Sequence, residues 1–174
     1  MASAADRRLF WGVAGGLVIA DLVTKLMAEA QLTRRMPLSV VGEWVQLRLV
    51  YNQGAAFGIH VGEHSRWVFM VLALIALGVL GSMVRTTRPG DRFRLLALAL
   101  VCGGATGNLI DRLLRGRVTD FISIGNFPVF NVADSSITVG CVVLVLGVWW
   151  QERAAKREKT RAAGSDQASE ATSE

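Results

Sequence analysis

Residues 67–84 read WVFMVLALIALGVLGSMV, eighteen consecutive positions without a charge. A helix at the surface of a soluble domain needs a polar face, and this stretch has none. A bilayer core about 30 Å thick is crossed by about 20 mostly apolar helical residues. Three further segments meet that requirement, at about 9–28, 93–110 and 132–150. The first contains Asp21 and Lys25, the third stops at Asp111, and the fourth carries only Asp134. The expectation is an all-α membrane protein with four transmembrane helices.

Composition agrees. Of 174 residues, 52% are apolar and 19% charged, against roughly 25% charged in an average soluble domain. That excludes a disordered chain, and the length fits one domain. Cys102 and Cys141 stand alone in separate apolar blocks, so neither a disulfide framework nor a zinc site is indicated, and both read as core thiols. The net charge of +5 could suit nucleic acid, but Lys and Arg collect in short segments flanking the apolar blocks. Such placement fits bilayer edges and gives no nucleic-acid partner.

Orientation follows from counting those cations. Arg7, Arg8, the 85–94 turn and the 153–161 segment put eleven on one side, and the two remaining connections put seven on the other. Both termini are therefore expected in the cytoplasm. Arg7-Arg8-Leu9-Phe10 also resembles a twin-arginine export signal, with Ala28-Glu29-Ala30 as a cleavage site. An export signal has no use for Asp21 and Lys25, so a retained first helix is the expected reading.

The 31–66 connection is not apolar enough to cross. Val45, Leu47, Leu49 and Tyr51 alternate with Gln46 and Arg48, a half-buried strand pattern. Asn52-Gln53-Gly54 then supplies turn chemistry. A small extracytoplasmic β-sheet between helices 1 and 2 is expected, with Trp44 and Trp67 at the interface. Beyond Gln151 the chain is charged, then rich in Ala, Ser, Thr and Glu, and reads as a disordered cytoplasmic tail (152–174) after a short helical extension.

An ionisable group inside a span costs several kcal/mol unless paired or hydrated, which makes it a functional hypothesis. At about 1.5 Å per residue, Asp21 lies about 18 Å beyond Leu9, Asn108 about 22 Å and Asp111 about 27 Å beyond Phe93, and Asp134 about 24 Å before Trp150. With both termini inside, these groups reach one outer level from three helices. Asp21 and Lys25 are i,i+4, Asn108 precedes Asp111 and Arg112 by three and four, and Asn131 precedes Asp134 by three. Each set shares a helical face. A polar pocket just beneath the outer surface follows. The inner halves of these helices hold nothing comparable, whereas a transmembrane ion path would want polar groups in both leaflets. Gly103, Gly104 and Gly107 permit close approach, either of a neighbouring helix or of a peptide backbone.

Missing parts exclude several chemistries. His60-Val61-Gly62-Glu63-His64 matches a zinc-protease pattern, but it holds a glycine, lies in a loop and lacks a third ligand. Ser135 or Ser136 with Lys25 would make a serine–lysine dyad, though first-turn hydrogen bonding is the simpler role. Carboxylates remain. Asp120 and Asp134 are fourteen residues apart, with Pro128 between them to turn the chain back. Two aspartates brought close share one proton, so the ionised member can activate water while the protonated one polarises a carbonyl. Arg112, Lys25 and the amides of Asn52, Asn108 and Asn131 are candidates to steady charge or hold substrate. Asp111 beside Arg112 fits a structural ion pair as well as it fits catalysis.

The segments Asp21-Leu22-Val23-Thr24-Lys25, Tyr51-Asn52-Gln53-Gly54-Ala55-Ala56-Phe57-Gly58, Gly103-Gly104-Ala105-Thr106-Gly107-Asn108-Leu109-Ile110-Asp111-Arg112, Val118-Thr119-Asp120-Phe121 and Phe130-Asn131-Val132-Ala133-Asp134 resemble, in order, the motifs of the lipoprotein signal peptidase (signal peptidase II) family. The resemblance implies an intramembrane aspartyl endopeptidase of the bacterial inner membrane. Such an enzyme removes signal peptides from diacylglyceryl-modified prolipoproteins, cutting before the lipidated cysteine. It implies Asp120 and Asp134 as the catalytic pair, Asn52, Gly54, Asn108, Arg112 and Asn131 as substrate-binding or site-shaping positions, and Asp21, Lys25 and Asp111 as structural polar positions. It also implies no cofactor or metal, lipid and lipidated prolipoprotein as partners, a monomer, and a site near the periplasmic face. Residues 1–151 would then form the peptidase domain, with 31–66 as its outer insert and the 52–58 loop covering substrate. The competing expectations are a proton- or cation-coupled transporter and a membrane assembly subunit whose aspartates are helix glue.

Overall fold

The computed structural model describes residues 3–34, 36–54 and 62–172, with side chains except at 63, 151, 154–155 and 158–172. Residues 55–58 of the expected covering loop, and His60 and Val61 of the zinc-like pattern, lie outside the described residues. Along the chain run α1 (Ala4–Gln31), β1 (Leu38–Val41), β2 (Val45–Asn52), α2 (Ser65–Thr86), α3 (Arg92–Arg115), β3 (Val118–Ile124) and α4 (Val132–Thr172).

Local chemistry sets the helix ends. Ser3 and Asp6 form a reciprocal capping box that starts α1. The Asp6 carboxylate also accepts from the Gly90 N–H at 3.2 Å, tying α1 to the α2–α3 turn. Helix α3 ends where Gly116 takes a left-handed φ of 71°, a conformation that costs glycine no steric penalty. Arg66 at the start of α2 donates to the carbonyls of Arg112 and Leu113 at 3.0 and 2.9 Å. Both lie in the last turn of α3, where carbonyls run short of intrahelical donors, although the Arg112 carbonyl also accepts from the Gly116 N–H at 3.1 Å.

Four helices are long and apolar enough to cross a membrane. Helix α3 is the central one: 61% of its apolar window is buried within the protein, against 22%, 6% and 17% for α1, α2 and α4. The core joins Phe10 and Ala14 of α1 to Leu98, Ala99 and Cys102 of α3, with Leu77 and Leu80 of α2 against them. Ile75 and Val79 of α2, and Val142 and Val145 of α4, point outward. An apolar exterior of this extent suits lipid, which costs such surface nothing. Cys102 is buried as expected, but Cys141 is exposed among the outward-facing residues of α4, because lipid accepts a small apolar thiol as readily as a core does.

Glycines in α3 serve helix packing. A Cβ at Gly104 would collide with the Ala133 carbonyl of α4, and one at Gly107 would stand 2.5 Å from the Asp21 carboxylate of α1. Both neighbours are therefore drawn against α3 at the level of the polar residues.

The sheet is antiparallel with order β1-β2-β3. It is only partly the expected insert: β1 and β2 lie between α1 and α2, but β3 comes from the α3–α4 connection. Val118, Asp120 and Ile122 alternate with Thr119 and Phe121, yet a polar residue on each face hides the pattern. Val50 stands opposite Asp120 and Asn52 opposite Val118. The chain then turns at Gly125, with a φ of 51°, and pairs Phe130 back onto Ile122. That return delivers Asn131 to the start of α4. Trp44 and Trp67 are exposed, as are Leu38, Val40 and Val41.

Helix α4 continues to Thr172, where composition predicted a disordered tail after a short extension. Residues 151–163 are dominated by Ala, Glu, Lys, Arg and Gln, strong helix formers without an interrupting proline.

Candidate active site

Helices α1, α3 and α4 and strands β2 and β3 bring the five polar motifs to one end of the bundle. Lys25, 1% exposed, lies 2.7 Å from Asp21 and 3.0 Å from Asp111, and donates to the Asn108 side-chain oxygen Oδ1 at 2.9 Å. The carboxylates are further occupied. Asp21 accepts from the Ala133 N–H at 2.9 Å and Asp111 from the Thr119 N–H at 3.2 Å. One cation thus joins α1 to α3, while its two acids grip α4 and β3. The expected pairing of Asp111 with Arg112 does not form, because neighbouring helical residues point about 100° apart. Asp111 faces Lys25, and Arg112 reaches the other way to the Gly54 carbonyl at 3.0 Å.

Asn131 and Asp134 form the cap of α4. The Asp134 N–H donates to the Asn131 side chain at 2.9 Å, and the Asn131 N–H to the Asp134 carboxylate at 3.3 Å. Two bonds therefore fix Asp134 in the first helical turn, where the helix dipole favours negative charge. Its other oxygen accepts from Asn108 Nδ2 at 2.7 Å. Across the site, Asp120 accepts from Asn131 Nδ2 at 2.7 Å and Asn52 Nδ2 at 3.1 Å. Asn131 is fully buried and also donates to Asn108 Oδ1 at 3.1 Å.

Asp120 and Asp134 both line a cavity of about 790 Å³, with Asn52, Asn108 and Arg112 beside them and Phe127, Val129 and Ile137 among its apolar walls. Burial first, and the nearby Asp134 charge second, raise the Asp120 carboxyl from 3.8 to about 7. The amides of Asn52 and Asn131 and the charge of Lys25 pull against that rise. Such a pair can hold a single proton near neutral pH.

Every site position read from the sequence is thus in one connected network. Neither serine pairs with Lys25 among the described contacts: Ser135 donates to the Asn131 carbonyl and Ser136 to the carbonyls of Ala133 and Leu100. Gly62–His64 form a 3-10 turn and not the continuous α-helix a zinc pattern needs. Three contributors escaped the sequence reading: Glu29, Arg115 and Arg66. Glu29 accepts from Thr119 Oγ1 and Arg115 Nη1, both at 2.7 Å, and so anchors the residue before Asp120 to α1 and α3. Glu29 lies one turn beyond Lys25, on the same face of α1, which is the signal that could have found it.

The chain matches the family model described as Signal peptidase (SPase) II over residues 13–150. It is 45% identical over 149 residues to the lipoprotein signal peptidase of Rhodococcus jostii, covering 81% of this chain and 73% of that protein. It is 40% identical over 144 residues to that of Shouchella clausii, covering 81% and 93%. A solved bacterial membrane enzyme, determined by the in meso method at 2.3 Å, is similar with a TM-score of 0.76 at 31% identity, over 82% of this chain and 88% of that one. With four apolar helices and this likeness over most of its length, the chain is a multi-pass bacterial membrane protease that belongs to the signal peptidase II family.

Proposed function

We propose that this protein removes the signal peptide from diacylglyceryl-modified prolipoproteins, cutting just before the lipidated cysteine, by water activated between Asp120 and Asp134. The observation that carries the reading is the pair of carboxylates on one cavity, joined through Asn131 and Asn108, with Asp120 raised to about 7.

At neutral pH the pair holds one proton. Asp120, with the raised carboxyl, bears it and serves as the acid, and Asp134 serves as the base. Asp134 takes a proton from water as the water oxygen bonds to the scissile carbonyl carbon, and Asp120 passes its proton to the carbonyl oxygen. A gem-diol results. Asp134 then protonates the leaving nitrogen, the C–N bond breaks, and Asp120 recovers a proton from one gem-diol hydroxyl. No metal or cofactor takes part.

The cavity's makeup supports this assignment. Arg112 and the amides of Asn52 and Asn108 are suited to hold an unwound peptide backbone, and the Phe127, Val129 and Ile137 walls to take apolar side chains. The bond from Arg112 to Gly54 anchors the base of the 52–58 segment, which would cover the substrate. We further assign both termini to the cytoplasm and the site to the outer face of the inner membrane, from the excess of Lys and Arg on the terminal side. The enzyme would act as a monomer.

The test is to incubate purified protein with a lipidated and an unlipidated prolipoprotein and weigh the products. Only the lipidated form should be cut, at the bond before its cysteine. Equal cleavage of both, or a cut elsewhere, would overturn the reading.

A further inference from the structure

At the paired strands, two guanidinium groups gather on the ring of Tyr51, a residue that also lines the cavity. Arg117, at the entrance to β3, lies 3.6 Å from the centre of the Tyr51 ring, and Arg34, just past α1, lies 4.1 Å from it. The two cations are therefore within about 8 Å of each other, a distance at which like charges repel unless a counter-charge is near. Among the described residues neither forms an ion pair. Glu29, near the end of α1, is already bound to Arg115 and Thr119. In addition, Arg117 Nε is buried with no hydrogen-bond partner among the described residues, a costly state for a charged donor.

The position matters as much as the charge. Arg34 follows the last residue of α1 by three positions and Arg117 follows the last residue of α3 by two. Both helices leave the membrane at this level, where lipid phosphates lie. The exposed apolar residues Leu38, Val40 and Trp44 on the same sheet would keep it against that surface. A guanidinium fork matches a phosphate bidentately, and a ring beneath it fixes the plane of the fork.

We propose that Arg34 and Arg117, braced by Tyr51, bind a phosphate ester carrying negative charge, supplied by a membrane lipid headgroup or by a soluble phosphate ester. The bound phosphate neutralises the surplus charge of the two guanidinium groups.

The test is native mass spectrometry of the full-length protein in phosphate-free detergent, titrated with phosphatidylglycerol, with diacylglycerol lacking phosphate, or with glycerol phosphate. The wild type should retain one phosphatidylglycerol, and Arg34→Gln and Arg117→Gln together should lower its occupancy at least fivefold, with diacylglycerol binding unchanged. Retention of glycerol phosphate in place of the lipid, lost in the same variants, would make the ligand the soluble ester. If neither ligand distinguishes wild type from variants, the site does not exist. Arg34→Gln alone, on an exposed residue, serves as the variant that keeps the fold, and prolipoprotein cleavage in detergent by both variants checks folding.

Discussion

Two groups of acids share one end of this bundle and are treated in opposite ways. Asp21 and Asp111 sit against Lys25, and each also accepts a backbone N–H. Asp120 and Asp134 are bound by amides, form no ion pair among the described residues, and face an open cavity. Asn108 touches both groups, accepting from Lys25 and donating to Asp134. A buried carboxylate given a cation and its full set of donors is locked, and removing its partner strands a charge. One given only neutral donors beside another acid keeps its proton mobile near neutral pH. The first arrangement builds the scaffold, and the second suits proton transfer.

The sharpest way to break this contrast is to neutralise each group in turn. Asp120→Asn or Asp134→Asn should lower cleavage of a lipidated prolipoprotein by about a thousandfold or more, the scale of lost acid–base catalysis. Thermal unfolding should show the fold retained. A variant that unfolds instead would make this pair scaffold as well.

Lys25→Met should do the reverse. It leaves Asp21 and Asp111 buried without their cation and should cost about 3–5 kcal/mol of stability, read as loss of folded protein in detergent. A stable but inactive Lys25→Met would move Lys25 into the chemistry.

The pH dependence refines the second group. Cleavage should fall as pH rises through about 7, where Asp120 loses its proton. The Asn52 amide favours the charged carboxyl, so Asn52→Ala should move that limb to higher pH as well as lower the rate; wild-type processing by this variant would discard the covering role of the 52–58 segment. Stability runs in the same direction. Asp120 holds its proton in the folded chain up to about 7 but only up to 3.8 when unfolded, so its contribution is greatest below 3.8 and is lost as pH rises through about 7. Asp120→Asn should flatten that dependence.

Glu29→Gln should have the smallest effect. It keeps an acceptor for Thr119 and loses a partly exposed pair with Arg115, worth about 0–1 kcal/mol. Cleavage should fall no more than a few fold, with KM unchanged. A much larger fall would mean that the charge on Glu29, and not its geometry, tunes Asp120.

How much of this was legible differs from element to element. The four spans were readable because lipid imposes length and apolarity on each helix separately, with no reference to its neighbours. The level of Asp21, Asn108, Asp111 and Asp134 was readable for the same reason, since rise per residue converts position into depth. Strand β3 was not, because Val118–Ile124 is held by pairing with β2, some seventy residues earlier, and its own alternation is blurred. The Asp111–Arg112 expectation failed because adjacency in a helix is not adjacency in space.

Sequence by itself determined the membrane class, the common level of the polar residues along their helices and the two carboxylates proposed as the catalytic pair, all read from short segments and local geometry. Only the tertiary structure decided which acid meets Lys25, that Asn131 and Asn108 bridge Asp120 to Asp134, and that Glu29 and Arg66 brace the site. Those pairings depend on close helix packing at Gly104 and Gly107 and on a strand contributed from a distant connection, and contacts between distant segments are set by the packed whole.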